Sequence, residues 1–155
     1  MATTQQMDAD KFRGVWRLRS YEFQDEEGSA SYPFGQNPRG LLMYDRSGMM
    51  SVQIIRHDRP LFPSEDMFGA APDTVKAAFE GLNTYYGTFA VDESSHVVVH
   101  HVEGASMPNR TGSMQIRHYE FSRNELILKA PARLLDGKML TGVLVWERVS
   151  SINEG

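Results

Sequence analysis

Gly and Pro cut this chain into short runs rich in Val, Ile, Phe and Tyr, and that punctuation constrains the fold more than any other feature. Closely spaced runs of this kind are read as antiparallel strands joined by turns. They fall at Gly14 to Phe23, Leu41 to Tyr44, Met49 to Arg56, Tyr85 to Val91, Val97 to Glu103, Met114 to Phe121, Leu126 to Ala130 and Leu140 to Arg148. Eight antiparallel strands in one small all-β domain close into a barrel, either filled by side chains or holding one small ligand. A β-sandwich is the competing architecture. One substantial helix is expected at Asp73 to Leu82, where Val75, Ala78, Phe79 and Leu82 share a stripe. A helix so short cannot cover a sheet, so it is expected to cap one end of the barrel. Asp8 to Phe12 can add a single helical turn.

A length of 155 residues suits one domain, with the barrel spanning about residues 12 to 149. The 41% hydrophobic content is enough to build a core. A net charge of −4 argues against a partner read through its phosphates, so no nucleic acid is expected. No apolar run is long enough for a membrane-spanning helix. Met1 to Gln6 lack the basic and apolar regions of a signal peptide, so the expected location is cytoplasmic. The absence of cysteine excludes disulfides, zinc–thiolate sites and thiol nucleophiles.

Several stretches carry a family resemblance. Gly14-Val15-Trp16 opens the first strand as Gly-x-Trp, and Arg148 closes the last strand in Leu144-Val145-Trp146-Glu147-Arg148. Tyr32-Pro33-Phe34-Gly35, Gly40 to Tyr44, Met50 to Gln53, His100 to Glu103, Asn109 and Arg117-His118 extend the match. Together they resemble the lipocalin-like domain proteins of bacteria and fungi, from about Phe12 to Val149. The resemblance implies a calycin-type barrel with a central pocket, and an arginine packed over the Gly-x-Trp indole at its base. It implies no single activity, because fold does not determine function.

The densest polar constellation is His100-His101-Val102-Glu103. Strand alternation puts His101 and Glu103 on one face with Val97 and Val99, and His100 on the other with Val98 and Val102. The expectation is that His101 and Glu103 face the pocket as an acid–base pair, the carboxylate orienting the imidazole. A solvated surface face is the plain alternative. In the hairpin around Asp45 to Gly48, a bulge at Gly48 sets Tyr44 against Met49. One face then carries Leu42, Tyr44, Ser51, Gln53 and Ile55, and the other Leu41, Met43, Met50, Val52 and Ile54. Tyr44, Ser51 and Gln53 are candidate polar fixtures of a pocket, whereas the second set would fill a barrel.

Tyr85 and Tyr86 face opposite ways, so one reaches the interior, and Tyr86 is the ligand-binding candidate. Arg117, in mid-strand, is a natural anchor for a carboxylate or enolate if it points inward. Asn109 is a further candidate, with turn geometry as its simpler role. Metal ligation finds little support. His96 and His100 share a strand face but stand roughly 13 Å apart. No third ligand accompanies an approach of His100 or His101 to His118. A haem barrel needs one axial histidine, so counting alone does not decide it; no cofactor is expected. Two functions follow. One is a barrel binding a small, largely hydrophobic molecule in a central pocket. The other, implied by the resemblance, is a cofactor-independent cyclase, isomerase or dehydratase acting on an intermediate of secondary metabolism. A subunit pairing through apolar outer strand faces, as a homodimer, is a third alternative.

Overall fold

The last residue of β10 is the one that closes the molecule: in a computed structural model, described over residues 7–150, Arg148 pairs with Trp16. A short helix α1 (Asp8–Phe12) leads into β1 (Gly14–Gln24), followed by a two-residue strand β2 (Ala30–Ser31). Then come β3 (Arg39–Tyr44), β4 (Met49–Ile55), helix α2 (Pro72–Glu80), β5 (Leu82–Asp92) and β6 (Val97–Ala105). A 3-10 turn (Pro108–Arg110) precedes β7 (Met114–Ser122), β8 (Glu125–Lys129), β9 (Arg133–Leu135) and β10 (Lys138–Arg148).

All neighbouring strands are antiparallel. The eight long strands run β1-β3-β4-β5-β6-β7-β8-β10, and the additional β1–β10 pairing closes them into a barrel rather than a sandwich. β2 and β9 are short appendages on β1 and β10. Closure leaves no long open edge, which removes the usual hazard of an all-β chain. Among the described residues, no helix is long and apolar enough to cross a membrane.

The Gly-x-Trp stretch is explained at the barrel base. Trp16 is almost completely buried, and its indole N–H donates to the Phe12 carbonyl at 2.8 Å. The Arg148 guanidinium stacks on its ring, the cation–π arrangement expected of arginine on tryptophan. Gly14 has φ +127°, and a Cβ there would lie 2.8 Å from an Arg148 nitrogen, so both conformation and space call for glycine. Phe12 of α1 inserts beneath, edge-on to Tyr44, Tyr119 and Phe121 with centroids 4.9–5.2 Å apart. The Tyr119 hydroxyl donates to Asp8 at 2.5 Å and pins the same helix across the base.

The longer helix stands apart from that plug. α2 begins at Pro72 and ends at Glu80, with Leu82 already the first residue of β5. None of its residues is buried, and Val75 and Phe79 stay exposed. Its apolar stripe follows helical period, and it leads directly into the Leu82 end of β5, where β5 pairs with Ile55 of β4 beside the cavity residues Ile54 and Asn83. One buried phenylalanine on a five-residue helix closes the base.

Candidate functional site

The inward face of each strand follows from alternation, interrupted where a bulge adds a residue. β1 points Trp16 and Leu18 inward, shifts register between Leu18 and Ser20, and then turns Tyr21 and Phe23 to the interior. β10 contributes Leu140, Gly142, Leu144 and Trp146. These rows enclose a cavity of about 420 Å³ in the half of the barrel away from Phe12. That size lies within the range of small-molecule sites. Leu42, Val52, Ile54 and Leu128 complete the apolar walls.

One polar triad crosses the interior. His100 is 1% exposed, and both ring nitrogens are engaged: Nε2 with the Tyr44 hydroxyl and Nδ1 with the Tyr85 hydroxyl, each at 2.7 Å. Burial, with the Arg117 charge adding to it, pulls His100 down to about 3, so the imidazole is neutral at ordinary pH. Burial pushes the Tyr44 and Tyr85 phenols up, which keeps them protonated. A neutral imidazole carries one N–H and one bare nitrogen. If Nε2 carried the hydrogen, the Tyr44 hydroxyl would accept it and its own O–H, deep among Phe12 and Phe89, would lack an acceptor. An unmade bond of that kind costs about 1–3 kcal/mol. The order that avoids this has the Tyr44 O–H donating to Nε2 and the Nδ1–H donating to Tyr85. The Tyr85 proton is then free to point into the cavity, which Tyr85 and His100 both line.

Above this floor the wall is cationic. Among the described residues, Arg110, Arg117 and Arg133 line the cavity, and no Asp or Glu does. Residues 13–149 match the lipocalin-like domain family. The chain belongs to that family. No curated protein matches it. The match confirms the resemblance carried by the Gly-x-Trp and Arg148 stretches.

Within the lipocalin-like barrel, the expected site residues divide. Tyr44 is inward and buried, and Arg117 is in the cavity wall. His101 and Glu103 are not inside: both are exposed, and the inward row of β6 is Val98, His100 and Val102. The parity assignment is thus reversed. The face His100 shares is apolar at both flanking positions, and two phenols satisfy its nitrogens, whereas a buried Glu103 would need its own partner. Ser51 and Gln53 also face outward. Asp45 accepts the backbone N–H groups of Ser47 and Met49, at 3.0 and 3.1 Å, and its own N–H bonds the Met49 carbonyl. Gly48 does take a left-handed φ of +94°, but Asp45 becomes the last pair of the hairpin. Tyr44 therefore faces Met50 rather than Met49, and Leu42, Tyr44, Met50, Val52 and Ile54 form the buried row.

The tyrosine pair is likewise exchanged. Tyr85 is buried on His100, while Tyr86 is half-exposed and lies over Gly104 on the outside. Asn109 sits exposed in the 3-10 turn, and its neighbour Arg110 is the residue that enters the wall, donating to Asn83 Oδ1 at 2.7 Å. The residues that sequence reasoning missed are His100, Tyr85, Arg110, Arg133 and Trp146. Signals existed for His100, the single polar residue on a Val98/Val102 face, and for Tyr85, one of two adjacent tyrosines that face opposite ways.

Proposed function

We propose that this barrel binds a small, largely apolar molecule in its central cavity, with an oxygen of that molecule accepting from the Tyr85 hydroxyl. The observation behind the reading is the cavity itself: apolar walls of Leu42, Val52, Ile54, Leu128 and Leu144 meeting one pre-oriented phenol. Apolar burial would supply affinity and the phenol orientation, as small-molecule sites generally divide the work. Native mass spectrometry of the purified protein and titration with the neutral probe 1-naphthaleneacetamide test it. Gly142 gives the control. A Cβ there would meet Phe23, Tyr21 and Ala130 at 3.6–3.8 Å, ordinary contact, so Gly142→Leu fills the cavity without backbone strain. Wild type is expected to take up the probe and the folded variant to lose it. Equal uptake by the two overturns the reading.

A cofactor-independent enzyme is the second reading, and one observation favours it. The Tyr85 O–H and the arginine-lined wall converge on one volume, where they would stabilise a developing enolate or other oxyanion. The neutral, low-basicity His100 suits fixed hydrogen bonding better than proton removal near pH 7, so the binding reading is preferred. A co-purified molecule converted on incubation would reverse that preference.

A further inference from the structure

A donor and acceptor inventory of the cavity is one-sided. The Tyr85 hydroxyl has a proton to give, by the hydrogen-bond order argued above. Trp146 is 1% exposed and lines the cavity, and its indole N–H meets no acceptor among the described residues. Arg110, Arg117 and Arg133 add guanidinium donors that cannot become acceptors. The side-chain amide oxygens on the wall each already accept from an arginine: Asn83 Oδ1 from Arg110, and Gln115 Oε1 from Arg117 at 3.3 Å. None of the three arginines pairs with a carboxylate among the described residues, where the ion pairs all lie elsewhere.

Three like charges around one partly enclosed volume repel one another. Burial lowers the Arg110 pKa, and the Arg117 and Arg133 charges push it the same way. The desolvation falls on Arg110, and an anion entering among the three charges would offset both that and their mutual repulsion. Arginine suits a carboxylate in particular, because its planar fork offers two parallel donors to two oxygens.

We propose that the ligand of this cavity is an apolar carboxylate, its hydrocarbon body against the Leu and Ile walls and its carboxylate on the Arg110, Arg117 and Arg133 cluster. The inference rests on the pocket reading above and adds the charge and polarity of the occupant. The same inventory disfavours a cationic molecule, which would add a fourth positive charge to the cluster.

The test is calorimetric titration of the intact chain with three probes of one shape: 1-naphthaleneacetic acid, 1-naphthaleneacetamide and 2-(1-naphthyl)ethylamine. The acid is expected to bind at least about tenfold more tightly than the amide, a difference of about 1.4 kcal/mol, and the amine least of all. Arg117→Gln and Arg110→Gln should each shrink the acid-to-amide ratio several-fold. Arg133→Gln, at an exposed position that does not endanger folding, should shrink it too. Arg46→Gln, in the distant hairpin turn, should leave the ratio unchanged. Raising the salt concentration should weaken the acid more than the amide. Amide binding as tight as acid binding, or a ratio that survives all three arginine changes, overturns the charge assignment while leaving a neutral-ligand pocket intact. Failure of every probe to bind overturns both.

Discussion

The guanidinium carbon of Arg148 lies 4.1 Å from the centre of the Trp16 ring, and the same group donates to the Arg13 carbonyl at 2.8 Å and to the Lys11 carbonyl. One side chain thus ties the last strand to the first and to the end of α1. The carbonyls it satisfies are those left free where α1 ends. Trp16→Ala removes the stacking surface, the bond to Phe12 and a large buried volume together. A loss of roughly 3–5 kcal/mol is expected in denaturant unfolding, as for other fully buried aromatics. An unchanged midpoint would show that the base does not hold the barrel closed.

Acid should weaken this protein through His100. Its folded pKa of about 3 lies below the ordinary histidine value near 6.5. The unfolded chain therefore binds a proton that the folded chain refuses. Stability is full above about pH 6.5, falls as the pH drops towards 3, and levels off below that, a total of up to about 5 kcal/mol. The upper part of this window, above about pH 4.5, lies clear of the carboxylates Asp8, Asp45, Asp58 and Asp92, whose pKa values sit below the ordinary range. Stability measured at pH 6.5 and 4.5 should differ by about 2–3 kcal/mol in wild type. In His100→Gln the difference should largely vanish. A wild-type profile flat over that interval would mean that the imidazole is not held neutral.

The two phenols on His100 should respond unequally to removal of one oxygen. Tyr44→Phe leaves the buried Nε2 without its donor and should cost about 1–3 kcal/mol of stability. Tyr85→Phe exposes its loss to the cavity, where a ligand or solvent can take over, so its stability cost should be smaller and its effect on ligand affinity larger. Equal stability losses with unchanged binding would contradict the hydrogen-bond order proposed for the triad.

His101→Ala and Glu103→Gln change exposed side chains on the outer face of β6. Stability should move by no more than about 0.5 kcal/mol, and probe binding should not change. His100→Ala, one residue away, should impair both. Thermal unfolding and the naphthalene titration on the three variants decide it, and damage from the outer pair would restore the opposite parity.

Much of the architecture was legible in the chain. Eight strands and their approximate limits follow from turn punctuation and β-rich runs, which are local signals, and the family resemblance implied the meeting of Trp16 with Arg148. Which face of each strand looks inward was not legible, because a strand repeats every two residues and a slip of one exchanges its faces. At Asp45 the slip comes from a carboxylate bonding its own turn. In β1 a bulge beside Arg19 turns Tyr21 and Phe23 to the cavity, and in β5–β6 the register shifts between Tyr86 and Gly87. Those decisions depend on contacts between residues far apart in sequence: Tyr44 and Tyr85 reach His100 across 56 and 15 positions. The sequence by itself determined an antiparallel all-β domain of about eight strands, for which a barrel and a sandwich were the competing closures. Only the tertiary structure decided that His100 rather than His101 is inside, that Phe12 plugs the base, and that three arginines from the 3-10 turn, β7 and β9 share one cavity. Burial and hydrogen-bond satisfaction, which fix a side chain's direction, are properties of the assembled barrel and not of any one strand.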